Sequence, residues 1–159
     1  MEDALALRLR QLVTGRTTAS LGTLHSGAPY VSMLPFALLA DGSAFAIHVS
    51  GLAAHTNDML AEPRVSLLIT ELEQGGVSPQ ALPRATIVGT AQQLSRDAPS
   101  YELAKATYLA RFPDSAPMFE LGDFSLFTIA PSTVRWIPGF AQALALTPES
   151  FAKAVRGTE

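Results

Sequence analysis

The stretch "HVSGLAAHTNDML", His48 to Leu60, decides how the rest of the chain is read. An apolar run ends at His48, Ser50-Gly51 follows, and a helical pattern begins almost at once. Upstream, "SAFAIHV" puts Phe45, Ile47 and Val49 on one strand face and Ala44, Ala46 and His48 on the other. The first is a core face. The second is lined by small side chains and one imidazole, as if something approaches closely. A short helix is expected from Leu52 to Ala61, ending at Glu62-Pro63 because a residue before proline disfavours α geometry.

His48 and His55 lie on different elements, so a metal site is at best a His/His/Asp set with Asp58. Ser50 lacks the Gly-x-Ser-x-Gly context of a nucleophile and reads better as the helix N-cap. His25, in the turn "HSGAP", reads as an exposed loop residue. The remaining functional reading is an anion cradle. Free N–H groups at the helix start, with the Ser50 and Thr56 hydroxyls and the His55 ring, would point at one spot. An ordinary capped helix competes with it, and local pattern does not separate the two.

Outward from this segment the signals are mostly β. Leu5, Leu9 and Leu12 mark an opening helix that Gly15 can end. "RTTASLGTL", the turn "HSGAP", "YVSMLPFALL" and the hairpin signal Asp41-Gly42 suggest a three-stranded meander. "RVSLLITEL" and "RATIVGTAQQL" are further strands, the second with Gly89 marking a bulge or a close backbone approach. A helix follows over residues 100–111, with Leu103, Ala106, Thr107 and Ala110 on one side. "FSLFTIAPSTVRWIP" predicts two short strands broken at Pro131. Thr147 is placed to cap a last helix.

The 159 residues are 48% apolar and 16% charged, with a net charge of −3 and no cysteine. Such a chain buries a large core, and its shortage of charge suggests a homo-oligomer interface. Scattered Lys and Arg argue against nucleic acid. Without cysteine there is no disulfide and no thiolate ligand. The opening residues do not read as a signal peptide, and no apolar run approaches a membrane span. The expectation is one domain over residues 1–159, cytoplasmic. Short strands with a few helices favour a barrel of mainly β, α+β character.

The order of segments resembles the pyridoxamine 5'-phosphate oxidase-like FMN-binding split barrels, in the group that includes haem-utilisation proteins. The resemblance is carried by "LGTLHSGAPYVSMLPFAL" (Leu21–Leu38), "DGSAFAIHVSGLAAHT" (Asp41–Thr56), "EPRVSLLI" (Glu62–Ile69), "RATIVGTAQQL" (Arg84–Leu94), "YLARFPDS" (Tyr108–Ser115) and "VRWIPGFAQA" (Val134–Ala143). It implies a six-stranded Greek-key split β-barrel with flanking helices, forming a homodimer with an FMN site at the subunit interface. Ser50, His55 and Thr56 would then hold the phosphate, with backbone near Leu52. Ser32, Met33 and Leu34 would present a strand to the flavin ring, and Arg84 would reach the phosphate or ribityl chain. Trp136, Gly139 and Phe140 would close the site. The implied activity is flavin-mediated electron or hydride transfer on an unidentified small molecule.

Two departures bear on the cofactor. Asn57 and Asp58 stand where the family commonly has Arg and Asn, which removes a charge-assisted phosphate contact. "PGFA" replaces the usual Gly-Gly-Phe-Gly, so the hairpin backbone is less permissive. The alternative on the same fold is a haem-binding module, with His25 as the histidine left over for the iron, or a dimeric scaffold without a cofactor.

Overall fold

Phe36 joins the two edges of the sheet. In the computed structural model, which describes residues 1–157, all eight strands belong to one antiparallel sheet. They are β1 (Thr18–His25), β2 (Ala28–Pro35), β3 (Ala37–Leu38), β4 (Phe45–Ser50), β5 (Arg64–Thr70), β6 (Arg84–Gln93), β7 (Phe124–Gly139) and β8 (Gln142–Leu146). The spatial order is β2-β1-β5-β6-β7-β4-β3, with β8 added to β7. The end strands β2 and β3 are separated in the chain by Phe36 alone, so the sheet must curl until its edges meet. Phe36 is fully buried there, and its N–H bonds the Thr17 carbonyl. This is the split barrel expected, with eight strands rather than six, because the run Tyr30–Leu39 breaks at Phe36 and a short β8 is appended.

The same break corrects the meander. Its second run pairs with β1 through Ala28–Pro35 and with β4 only through Ala37 and Leu38. The β1–β2 turn is tight, with Ser26 at φ 51° and Gly27 at φ 80°. The break expected at Pro131 is not seen either. β7 runs unbroken for 16 residues, and the irregularity appears as a bulge opposite Val88 and Gly89. A Cβ on Gly89 would lie 2.5 Å from the Ala130 carbonyl oxygen, so the close backbone approach expected there is real.

Among the described residues the four α-helices are α1 (Asp3–Gly15), α2 (Ala54–Ala61), α3 (Pro99–Arg111) and α4 (Pro148–Arg156). Helix α1 buries Leu9, Leu12 and Val13 against the barrel, at i, i+3 and i+4. In α4 the Thr147 hydroxyl accepts from the Ser150 N–H, as its position predicts. On helix α3 the side that carries Leu103, Ala106 and Ala110 is the outer one. Tyr101, Ala104 and Tyr108 face inward while Leu103 is exposed, because two aromatics at i and i+7 bury more area than one Leu stripe.

There are two cores. The larger fills the barrel with Phe36, Phe45, Ile47, Leu67, Ile69, Ile87, Phe127 and Trp136. The smaller lies between β4, β7, α3 and the 3₁₀ turn Pro113–Glu120, with Ala46, Leu126, Tyr101, Tyr108 and Phe119. Ala46 and His48 face this second core. What approaches their small-residue face is therefore the chain's own helix. The His48 ring stacks on Phe119 at 3.7 Å and 2° between planes, with Phe124 at 5.1 Å.

Candidate functional site: a carboxylate-backed histidine beside helix α2

Alternation along β1 points Leu21, Thr23 and His25 to the concave side of the sheet. On β2, Ser32 lies opposite Leu21 and Tyr30 opposite Thr23, so they share that side. Helix α2 packs across this hairpin and contributes His55 and Asp58. Three side-chain bonds clamp it. The Ser32 hydroxyl lies 3.0 Å from His55 Nδ1, the Thr23 hydroxyl donates to Asp58 Oδ2 at 2.7 Å, and His25 Nδ1 lies 2.7 Å from Asp58 Oδ1.

Asp58 is buried. Burial pushes its pKa up, but the bonds from Thr23 and His25 and the nearby imidazoles outweigh that and hold it below the usual carboxylate value. An ionised Asp58 accepts, so His25 Nδ1 donates to it and Nε2 is the nitrogen left without a partner among the described residues. The His25 side chain is 52% exposed, with the Tyr30 ring 5.5 Å away. His25 is thus not a free loop residue. It is an imidazole with one nitrogen tied down and the other presented outward.

The other two histidines face inward. Burial, helped by the charges of Arg96 and Lys105, pushes His48 down to about 4. Burial also lowers His55, with Asp58 opposing, which keeps that ring neutral near pH 7. Among the described residues no three His, Asp or Glu side chains gather as metal ligands.

The flavin donor set fares differently from the clamp. Helix α2 starts at Ala54, with Ala53 at its cap position, so Ser50 is not the N-cap. Its hydroxyl accepts from the Leu52 N–H at 3.1 Å and donates to Asp123 Oδ2 at 3.2 Å. Thr56 is buried and donates to the Ser50 carbonyl at 2.6 Å. The Asn57 amide reaches the Gly51 carbonyl. The Ser50 and Thr56 hydroxyls are already committed, Arg84 is taken by backbone carbonyls, His55 brings no cation and has only Nε2 left unbonded, and Asp123 adds negative charge. These residues do not fit an FMN phosphate.

The rest of the expected flavin set is spread over the molecule. Leu34 and Trp136 point into the barrel core, so neither side chain can lie against a ligand; Trp136 has no exposed surface at all. Met33 and Leu52 are exposed. Arg84 donates to the Gln80 and Leu82 carbonyls and lines a cavity of about 360 Å³ with Gly139 and Phe140, away from helix α2. Of that set, Ser32 meets His55, Ser50 bonds Leu52 and Thr56, and Arg84 shares its cavity with Gly139 and Phe140, so the residues fall into separate groups.

Sequence reasoning missed Thr23 and the His25–Asp58 pair. The one local signal is that Thr23 and His25 share a strand face. Their meeting with Asp58 depends on how α2 docks.

Comparison with known proteins agrees with the geometry of the fold. The family model for pyridoxamine 5'-phosphate oxidase matches residues 6–137. The chain belongs to this family. It is 36% identical over 138 residues to the non-canonical heme oxygenase HOZ, chloroplastic, of Arabidopsis thaliana, which covers 85% of this chain and 40% of that protein. It is 27% identical over 145 residues to heme oxygenase HutZ of Vibrio cholerae, covering 90% and 81%. Among solved structures, a heme binding protein from Mycobacterium smegmatis superposes with a TM-score of 0.83 at 26% identity, covering 96% of this chain and 61% of that one. The chain thus spans less than half of the plant relative and about three-fifths of the mycobacterial chain. No helix among the described residues is long and apolar enough to cross a membrane.

Proposed function

We propose that this member of the family is a haem-binding protein that works as a homodimer, with His25 as the ligand to the iron. The carrying observation is the His25–Asp58 bond. An imidazole whose Nδ1–H is held by a carboxylate has a fixed ring orientation and a more basic Nε2, which would suit a histidine holding a haem iron. Thr23 holds the second oxygen of Asp58 and so fixes the carboxylate. The names of the relatives in Arabidopsis, Vibrio and Mycobacterium support the same reading. Bound haem would supply the iron's redox and oxygen chemistry; this chain's residues orient the ligand and fix its proton.

The dimer reading rests on the convex face of β2, β1, β5 and β6. Val31, Met33, Leu68 and Val88 are exposed there. Ser20 joins Met33 to Leu68 across β1, and Gly22 joins Val31 to Ser66, so the patch is continuous and interrupted only by small residues. Strand β2 carries Tyr30 beside His25 on one face and Val31 and Met33 on the other.

The test is a titration of the purified protein with hemin, followed in the Soret region, beside a parallel titration with FMN. Saturable haem binding that His25→Ala removes supports the proposal, as does failure to take up FMN. Haem binding untouched by His25→Ala, or tight FMN uptake, overturns it.

A further inference from the structure

A cavity of about 440 Å³ opens between the end of β6, the first turn of α3 and the start of β7. It shares no residue with the His25 site. Gln93, Leu94, Ser95, Arg96, Tyr101, Gly122, Phe124, Ser125 and Leu126 line it, and no carboxylate is among them. The volume is in the range that small ligands occupy.

The polar groups are donors left without acceptors. The Arg96 guanidinium has no ion pair or hydrogen bond among the described residues. Gln93 Nε2 donates to Ser125 Oγ at 2.9 Å, which leaves the Ser125 O–H free to donate in turn. Tyr101 is only 6% exposed, yet its hydroxyl has no hydrogen bond among the described residues and is not among the polar atoms sealed from solvent. Buried tyrosine hydroxyls ordinarily find a partner. Arg96 also lies near enough to the second core for its charge to act on His48. The acids next to lining residues in sequence are Asp97 and Glu102, both exposed, and Asp123, whose Oδ2 accepts from Ser50. The edge of Leu94 supplies an apolar floor over the buried Leu126, with Phe124 half-buried at the wall.

A single cation, two or three hydroxyl donors and an apolar floor suit one ligand chemistry. We propose that this cavity binds a small organic carboxylate with a flat apolar body, its anion on Arg96 and the Tyr101 and Ser125 hydroxyls and its body against Leu94 and Phe124. A dianion would leave charge uncompensated, and a neutral or cationic molecule would leave the donors unpaired.

The probe is sodium benzoate added to the full chain, with backbone amide shifts read by NMR at constant ionic strength. Benzamide and benzylamine, of the same shape but without the anion, run beside it. The expected result is a saturable shift centred on Arg96, Tyr101 and Ser125 with benzoate only. Arg96→Gln, at an exposed position that leaves the fold intact, weakens it at least about tenfold, and Tyr101→Phe weakens it about threefold. Equal response to benzamide, shifts that do not saturate, or affinity unchanged in Arg96→Gln overturns the proposal.

Discussion

His25 Nδ1 and Asp58 Oδ1 stand 2.7 Å apart, one at the end of a strand and the other buried in the helix laid across it. The pair converts an ordinary turn histidine into an oriented base with one free nitrogen. Asp58 also faces away from the Ser50 loop, so it does not repel an anion there. Its role is to hold β1 to α2.

Removing the carboxylate while keeping the ring isolates that role. Asp58→Asn is expected to retain haem ligation through His25 with affinity lowered about 10- to 100-fold, the usual cost of losing a partner behind a metal-binding histidine. Hemin titrations of the two proteins at one pH check this.

Acid is expected to loosen the second core. Burial, together with Arg96 and Lys105, holds His48 at about 4 in the fold, while an unfolded imidazole titrates near 6.5. The unfolded chain binds the proton first, so stability is full above about pH 6.5 and is lost as pH falls toward 4. Asp58, lowered in the fold, adds its own loss below the ordinary carboxylate range. Thermal melts should show Tm falling by roughly 5 °C between pH 7 and pH 5, a slope that His48→Phe flattens while keeping the stack on Phe119.

Arg111 is expected to matter to stability out of proportion to its charge. Its guanidinium bonds the Thr14 and Arg16 carbonyls at the end of α1 and lies over the Phe36 ring at 5.4 Å. It ties α3 and α1 to the residue that closes the barrel. Arg111→Ala should cost about 2 kcal/mol in urea unfolding, since two carbonyls lose a charged donor. A cost under about 0.5 kcal/mol contradicts this account.

The convex face is expected to carry the dimer. Met33→Glu places a charge in the middle of the apolar patch and should halve the mass measured in solution while leaving the far-UV circular dichroism unchanged. A wild-type chain that is already monomeric at the same concentration rejects the patch as a self-interface.

What the sequence made legible was local. Strands with clean alternation, the Ser26-Gly27 turn, the close approach at Gly89 and the Thr147 cap each depend on neighbouring residues, and all are found. The order of segments was enough to suggest the family. The failures were of docking. Ser50 looked like a cap because the helical pattern seemed to start at Leu52, but the Ser50 loop closes on Asp123, 73 residues away. On helix α3 the spacing shows that Leu103, Ala106, Thr107 and Ala110 share a side, but not that Tyr101, Ala104 and Tyr108 are the side that docks. Trp136 was placed at a ligand because the resemblance puts the C-terminal hairpin there, whereas strand parity turns it into the core beside Ala85. Thr23, His25 and Asp58 meet only when α2 crosses β1, which no spacing in the chain reveals.

The most direct measurement is resonance Raman spectroscopy of the ferrous haem complex, which reads the iron–histidine stretch. The account predicts a clear band in the wild type and its loss in His25→Ala with recovery on adding imidazole. In Asp58→Asn the band should move to lower frequency, because the ligand loses its carboxylate. A band that is unchanged in both variants would contradict it.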